Sequence, residues 1–401
     1  MPWSGSPAAV LADLLGGPRE EPEWFGPAVA AVVGGSEAVL AAESPRALEE
    51  ATVALVGAQV RRAVREHGRG LRFDWWYAKV SEALAAEVRE DLDRGGDNWV
   101  GPWRLLHGLA AIGTPALASA PTGSIRKLSA AVARAGGASQ PPWLRLVPRV
   151  APGEVWLLRD AYGSRFGIIA GLSSDKSDPV VFLLDIDACG PVTVLNAGTY
   201  ADVSESAAAW RSFAGVSADG ARPRRVETAD EVAVLAYADY DDNILHGGES
   251  DSALDNWFRA NRRLRDLSDH FRRRGTPLPR PRSLYRDLDT EPLIEDFTAW
   301  YVDQHDAKPD TEAVAAIAYE WIEGALPGTW NAVSPHRVRH LRAVMSDWID
   351  DRVTAAAHTL IPDWVRWHTE QSDLPEQLRV LSFAATDGSH DRPDLAAPCA
   401  P

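Results

Sequence analysis

Two cysteines in 401 residues, Cys189 and Cys399, leave no room for a disulfide framework. So small a supply predicts a reducing, cytoplasmic setting. Lysine is nearly as scarce: Lys79, Lys127, Lys176 and Lys308 are four of the 41 basic side chains, a bias read as the coding composition of a high-GC genome. No uninterrupted apolar run approaches the roughly 18–20 residues that a membrane-spanning helix needs. The opening "MPWSGSPAAVLADLLGGPREEPEW" has no Lys or Arg ahead of its short apolar stretch, so it lacks the layout of a secretory signal. No glycine loop of the Gly-x4-Gly-Lys-Ser/Thr type occurs, which removes the commonest phosphate cradle. Internal repeats are also missing.

Apolar residues make up 45% of the chain and charged residues 24%, as in ordinary globular proteins of two or three domains. A net charge of −16 disfavours nucleic acid as a partner for the whole surface. The charge is unevenly spread, however. "RANRRLRDLSDHFRRRGTPLPRPRSLYR", from Arg259 to Arg286, holds ten Arg against two Asp.

Periodicity predicts an α+β fold with three parts: a helical region over 1–145, a small mainly antiparallel sheet over 150–245, and a helical bundle over 255–386. Ser44-Pro45 starts one N-terminal helix, with Leu48, Ala51, Leu55 and Ala58 on its apolar face. Val80, Leu84, Val88 and Leu92 mark a second, which Gly95-Gly96 ends. "EVWLLRDAYGSRFGIIAGL" predicts a β-hairpin around a polar Asp160–Ser164 turn. "DPVVFLLDIDACGPVTVLNAG" adds two more strands, "SESAAAWRSFAGV" a helix for one face of the sheet, and "DEVAVLAYADY" another strand or the first turn of a helix. Helices follow behind Thr290, Thr311 and Ser334-Pro335, and 387–401 predicts a disordered tail.

"SPHRVRHLRAVMSDWIDD" followed by "LIPDWVRW" resembles a C-terminal helical module of an uncharacterised protein family of high-GC Gram-positive bacteria. The order of a serine-proline start, a tryptophan-bearing helix, a proline and a Trp-x-x-Trp helix carries the resemblance, over the last quarter of the chain. It implies a bacterial cytoplasmic setting and brings no activity or catalytic residue with it.

Several constellations invite chemistry. "ADYDDNILHGGESD", Ala238 to Asp251, crowds four aspartates, a glutamate and a histidine together. Asp239, Asp241 and Asn243 match the first three ligand positions of an EF-hand loop, but Ile244 stands where the turn glycine belongs and Ser250 where the final glutamate belongs. A looser divalent site from Asp239, Asp241, His246 and Glu249 is one reading, and a solvated Gly-Gly loop is the plainer one. Asp185 and Asp187, one residue apart on a strand, share a face and could share an ion. With Gly163-Ser164 they resemble the layout of nucleotidyltransferases, although that family has a helix where "RFGIIAGL" reads as a strand. A strand whose end turns polar accounts for the pair more simply.

Cys189 beside Gly190-Pro191 reads as a small buried residue rather than a nucleophile, since no histidine lies within the sheet unit. His336 and His340 could meet one ion from a helix face, but Arg337 and Arg339 between them oppose a cation, so two surface histidines are expected. Ser173-x-x-Lys176 matches the spacing of some acyl enzymes within an apparent loop. Among the arginines, Arg262, Arg263, Arg272, Arg273 and Arg274 could hold phosphate or nucleic acid, whereas neutralising nearby acids is the plainer role.

The sequence therefore favours a cytoplasmic bacterial protein that binds a protein partner without chemistry of its own. Its rivals are a metal-dependent enzyme acting on a phosphoester or nucleotide, with a divalent ion as cofactor, and nucleic-acid binding through the arginine segment.

Overall fold

A computed structural model of the chain describes residues 21–68, 71–136, 140–145, 147, 151–173, 180–238, 245, 248–280, 282–348 and 350–388. It shows an α+β fold, with a five-stranded antiparallel sheet between helices contributed by both ends of the chain. No helix among the described residues is long and apolar enough to cross a membrane.

The N-terminal helices are α1 (Phe25–Gly34), α2 (Pro45–His67), α3 (Phe73–Arg94), α4 (Val100–Ile112) and α5 (Ser119–Arg134). Ser44 caps α2 by accepting from the Ala47 N–H at 3.1 Å, and Pro45 occupies the first turn, where its missing N–H costs nothing. Leu48, Val56 and Val60 then pack against Phe73, Trp76, Tyr77 and Leu84 of α3 and the apolar face of α4.

Strands β1 (Ala151–Arg159), β2 (Arg165–Ser173), β3 (Val180–Asp187), β4 (Thr193–Tyr200) and the short β5 (Arg224–Arg225) lie in the order β4-β3-β2-β1-β5. The hairpin and the strand pair expected from alternation are both present. Pairing Arg165 with Asp187 and Gly167 with Asp185 puts those four on one face, because side chains alternate along a strand. Helix α6 (Val203–Ala214) covers that face, with Trp210 lying over Gly167. A Cβ at Gly167 would stand 2.8 Å from the indole Cγ, so only glycine admits the ring.

The opposite face is covered as well, which the expectation of a single covering helix missed. The segment "DEVAVLAYADY" supplies a 3-10 turn (Ala229–Val232) and α7 (Leu235–Ala238) rather than a strand. A reciprocal cap between Thr228 and Glu231 starts this turn, a local signal that outweighs the β-branched residues after it. After α8 (Asp251–Asp255), helix α9 (Trp257–Arg273) lays Leu264, Leu267 and Phe271 on the same face, against Phe166, Ile168, Phe182 and Ile186. Its first residues, Trp257 and Phe258, belong to the N-terminal core instead.

The C-terminal helices are α10 (Glu291–His305), α11 (Thr311–Ile322), α12 (Pro335–Met345), α13 (Asp351–Glu370) and α14 (Glu376–Ala384). Asp310, one residue before the expected cap, is the N-cap of α11, accepting from Ala313 at 3.0 Å. The sequence read as one helix from Ser334 breaks after Met345 and restarts at Asp350, whose carboxylate accepts from the Arg352 and Val353 N–H groups. Trp321, Trp364, Trp367 and Phe297 fill this bundle. His368 lies stacked on Trp321, with ring centroids 5.0 Å apart, and neither of its ring nitrogens has a hydrogen-bond partner among the described residues.

The arginines of α9 divide by burial. Arg263 reaches Glu49 of α2 and, at 2.8 Å, Asp266, while Arg259 meets Glu50 at 2.7 Å. Both are buried, whereas the apolar period of Trp257, Leu264, Leu267 and Phe271, read alone, turns the arginines of this segment outward. The carboxylates of α2 draw them in, and their long stems cover apolar surface. We expect Arg263→Ala to cost about 3 kcal/mol, the low end for a broken buried pair, because Glu49 would keep only Arg259, at 3.7 Å, as counter-charge. Loss of the exposed Arg272, paired among the described residues with Asp269 on its own helix, should stay within about 0.5 kcal/mol. Urea unfolding distinguishes the two, and equal costs would refute this account.

Burial, and then the charge of Arg337, hold His368 well below the ordinary histidine range. The unfolded chain therefore binds a proton that the native bundle refuses. Stability is complete above about pH 6.5 and falls as pH drops below it, by about 1.4 kcal/mol per pH unit for each such histidine. His107 and His340, pushed down to about 4, add slopes of the same sign between about 6.5 and about 4. His368→Leu should remove one proton's share of that slope in melts from pH 7.5 to 5. An unchanged slope would show that His368 already holds a proton or meets water.

Candidate functional site

The end of the first hairpin, the end of β3 and the start of α12 meet at one place. Arg165 grips Asp185 with both forks, Nε at 2.9 Å and Nη2 at 2.7 Å, and the Asn196 amide donates to the same carboxylate at 2.6 Å. That arrangement occupies Asp185. Two residues on, Asp187 faces the same way and takes different partners: His336 Nδ1 at 3.2 Å and the Cys189 N–H at 3.3 Å. The two carboxylates thus share a face, as the sequence implied, yet only Asp187 joins a group of metal-ligating atoms.

That group is Asp187, Cys189 and His336, with one carboxylate oxygen, the thiol sulfur and one imidazole nitrogen all within 4.8 Å of one another. The thiol donates to Ser164 Oγ at 3.1 Å and lies 2.9 Å from Ser334 Oγ. Ser334 is also the N-cap of α12, accepting from the Arg337 N–H at 3.1 Å. Ser164 is held by the hairpin turn, where its N–H and that of Arg165 both donate to Asp160 Oδ1 at 3.0 Å. Its carbonyl accepts from the Ala188 N–H at 2.9 Å. The turn, the strand end and the helix cap therefore position the sulfur from three sides.

Burial governs the electrostatics. It would raise Asp187, but the charge and hydrogen bond of His336, with Arg165 behind them, outweigh it and hold the carboxyl below its usual range. The Cys189 thiol is pushed up, first by burial and then by the charge of Asp187. Asp160 is also raised by burial, despite the N–H groups it accepts from. Arg337, next to His336 in sequence, is fully buried, and its guanidinium donates to the carbonyls of Thr329, Ala332 and Trp321. It faces the Trp321 ring at 4.5 Å. Its charge is thereby turned into the bundle, and burial lowers its affinity for a proton, to a pKa of about 10.

The other expected sites fare differently. Asp239, Asp241 and His246 lie outside the described residues. Glu249 is half-buried and already has an interaction partner. Asp251, from the same stretch, is bound by Arg65 at 2.6 Å. Ser173 ends β2, and Lys176 lies outside the described residues. Arg263 is sealed against Glu49 and Asp266. Arg262 donates to Asp266 at 2.9 Å and to the Gly113 carbonyl, so neither faces a phosphate. Arg272, Arg273 and Arg274 are exposed at the end of α9. His336 and His340, expected at the surface, are instead partly buried against the end of β3. The Cys189–His336 pairing escaped sequence reasoning because the two stand far apart in the chain; Ser334, beside His336, is 145 residues from Cys189.

No family model matches this chain, and no curated protein or solved structure shows similarity to it.

A sulfur this enclosed should react slowly. In a chain carrying Cys399→Ser and treated with EDTA, we expect Cys189 to be alkylated by maleimide roughly 100-fold more slowly at pH 7 than in denaturant. Equal rates would show that the thiol is open to solvent.

Proposed function

We propose that this protein binds a divalent transition metal, Zn2+ above all, through Asp187, Cys189 and His336, and that the ion fastens the central sheet to the C-terminal helices. The convergence of three donors of different chemistry within 4.8 Å carries the reading. A thiolate, an imidazole and a carboxylate form a set that suits Zn2+, whereas Ca2+ and Mg2+ prefer oxygen alone. Tetrahedral zinc requires donor atoms about 3.3–3.7 Å apart. The Asp187–His336 separation of 3.2 Å is close to that, and side-chain rotations within the 4.8 Å group would have to bring the sulfur to the same spacing. The metal also answers the electrostatic problem: it deprotonates a buried thiol that otherwise keeps its proton, and the two anionic ligands cancel its charge.

An enclosed sulfur fits a structural ion better than a catalytic one. The buried arginines of α9 are engaged by Glu49, Glu50 and Asp266, which leaves them no part in a phosphoester reaction here. The reading is accordingly of a metal-fastened protein that works by binding a partner, in the reducing cytoplasm that a free thiolate ligand requires.

Calorimetric titration with Zn2+ should give one ion per chain and release one proton from the thiol, with a second from His336 at pH values where its imidazole is charged. An ion at about a hundred times its dissociation constant should stabilise the fold by ~2.7 kcal/mol. Cys189→Ala and His336→Ala should abolish both effects. Absence of heat, proton release and stabilisation in the unaltered chain would end the proposal.

A further inference from the structure

We propose that His340 is the fourth ligand of the same ion, closing an Asp187–Cys189–His336–His340 tetrahedron. The inference rests on the metal reading above and extends it to the kind of site the ion occupies.

Three donors leave one coordination position to fill. The hydroxyls of Ser164 and Ser334 touch the sulfur, but Ser334 caps α12, and Ser164, which accepts from the thiol in the metal-free chain, can donate to the thiolate once the ion takes the proton's place. Neutral hydroxyls are also outside the usual donor set of structural zinc. The Asp160 carboxylate is occupied by the N–H groups of Ser164 and Arg165. His340 has no such engagement. It stands four residues after His336 on α12, so both rings leave the same side of the helix one turn apart. The His-x3-His spacing is one that zinc sites use.

The ring of His340 is already beside the strand end. A Cβ built on Gly190, the residue after Cys189, would stand 3.3 Å from both Nε2 and Cδ2 of His340. Glycine at this position lets the imidazole approach the Gly190 backbone. The half-buried ring makes no hydrogen bond among the described residues, and the negative charge of Asp187 reaches it. His340 stands outside the 4.8 Å group of Asp187, Cys189 and His336, so its ring must turn toward them to bind, and among the described residues no hydrogen bond holds it back. The charge of Arg337 still reaches His340, but its guanidinium is turned onto the carbonyls of Thr329, Ala332 and Trp321, and the carboxylate of Asp187 opposes it at the ring.

Such a site is closed: every coordination position is filled by the chain, and none is left for substrate or water. The ion then joins the β3–β4 turn to two consecutive turns of α12.

The experiment uses Co2+ as a spectroscopic stand-in on the full chain, followed by competition with Zn2+, for the unaltered protein, His340→Ala, Gly190→Ala and Cys189→Ser. The unaltered chain should show a near-ultraviolet thiolate-to-cobalt band and the strong visible absorption of four-coordinate cobalt. His340→Ala should keep the first and lose intensity in the second, as water enters a five-coordinate shell. Its Zn2+ affinity should fall by more than the roughly 10–100-fold that loss of an outer-shell partner costs. Gly190→Ala displaces the ring without removing it and should weaken binding less, which guards against misfolding of the histidine variant. Two outcomes overturn the proposal. If His340→Ala matches the unaltered chain while Cys189→Ser loses the thiolate band, the ion has three protein ligands and only the fourth is refuted. If the unaltered chain takes up no cobalt or zinc, the metal reading itself falls.

Discussion

The fork of Arg165 on Asp185 is the interaction on which the candidate site depends. A carboxylate with no exposed surface would be very costly without a counter-charge, and a bidentate guanidinium supplies both charge and geometry. The pair spans β2 and β3 at the point where the strands leave the sheet, so it locks their pairing there. Once Arg165 is opposite Asp187, Ser164 must lie beside Ala188 and Cys189, and Asp187 must face the start of α12. Removing one partner of such a pair costs about 3–5 kcal/mol, which makes this the point where the register is least free to slip.

Buried positive charge is handled in two different ways elsewhere. On α9, Arg259 and Arg263 meet carboxylates from α2, and the attraction ties the N-terminal helices to the helix that covers the sheet. Among the described residues Arg337 meets no carboxylate in direct contact; it uses backbone carbonyls left over at the ends of α11 and the following turn, together with an indole face. The guanidinium suits this use because its five donors are spread in a plane and it hydrates weakly.

Much of the architecture was legible because it is local. Alternation revealed β1 to β4, Ser-Pro pairs marked the starts of α2 and α12, and Asp185 and Asp187 had to share a face. Legibility ended where a residue's role depends on a distant partner. Arg263 reads as an outward arginine until Glu49 is placed opposite it. Cys189 reads as a buried thiol until α12 brings His336. The break after Met345 was invisible for a related reason: a cap at Asp350 competes with continued helical periodicity, and packing decides between them. His336 and His340 likewise read as surface residues until the end of β3 is placed against them.

The hydroxyl of Tyr162, in the turn between the first two strands, donates to the carbonyl of Leu378 at 2.8 Å, across 216 residues of chain. Translation at about 5–20 residues per second puts roughly 10–40 s between the emergence of those two partners. Throughout that interval the hairpin tip is without a contact it will keep for the life of the protein. The turn of this hairpin is thus completed by α14, so the nascent sheet must wait with that turn uncovered until Leu378 leaves the ribosome.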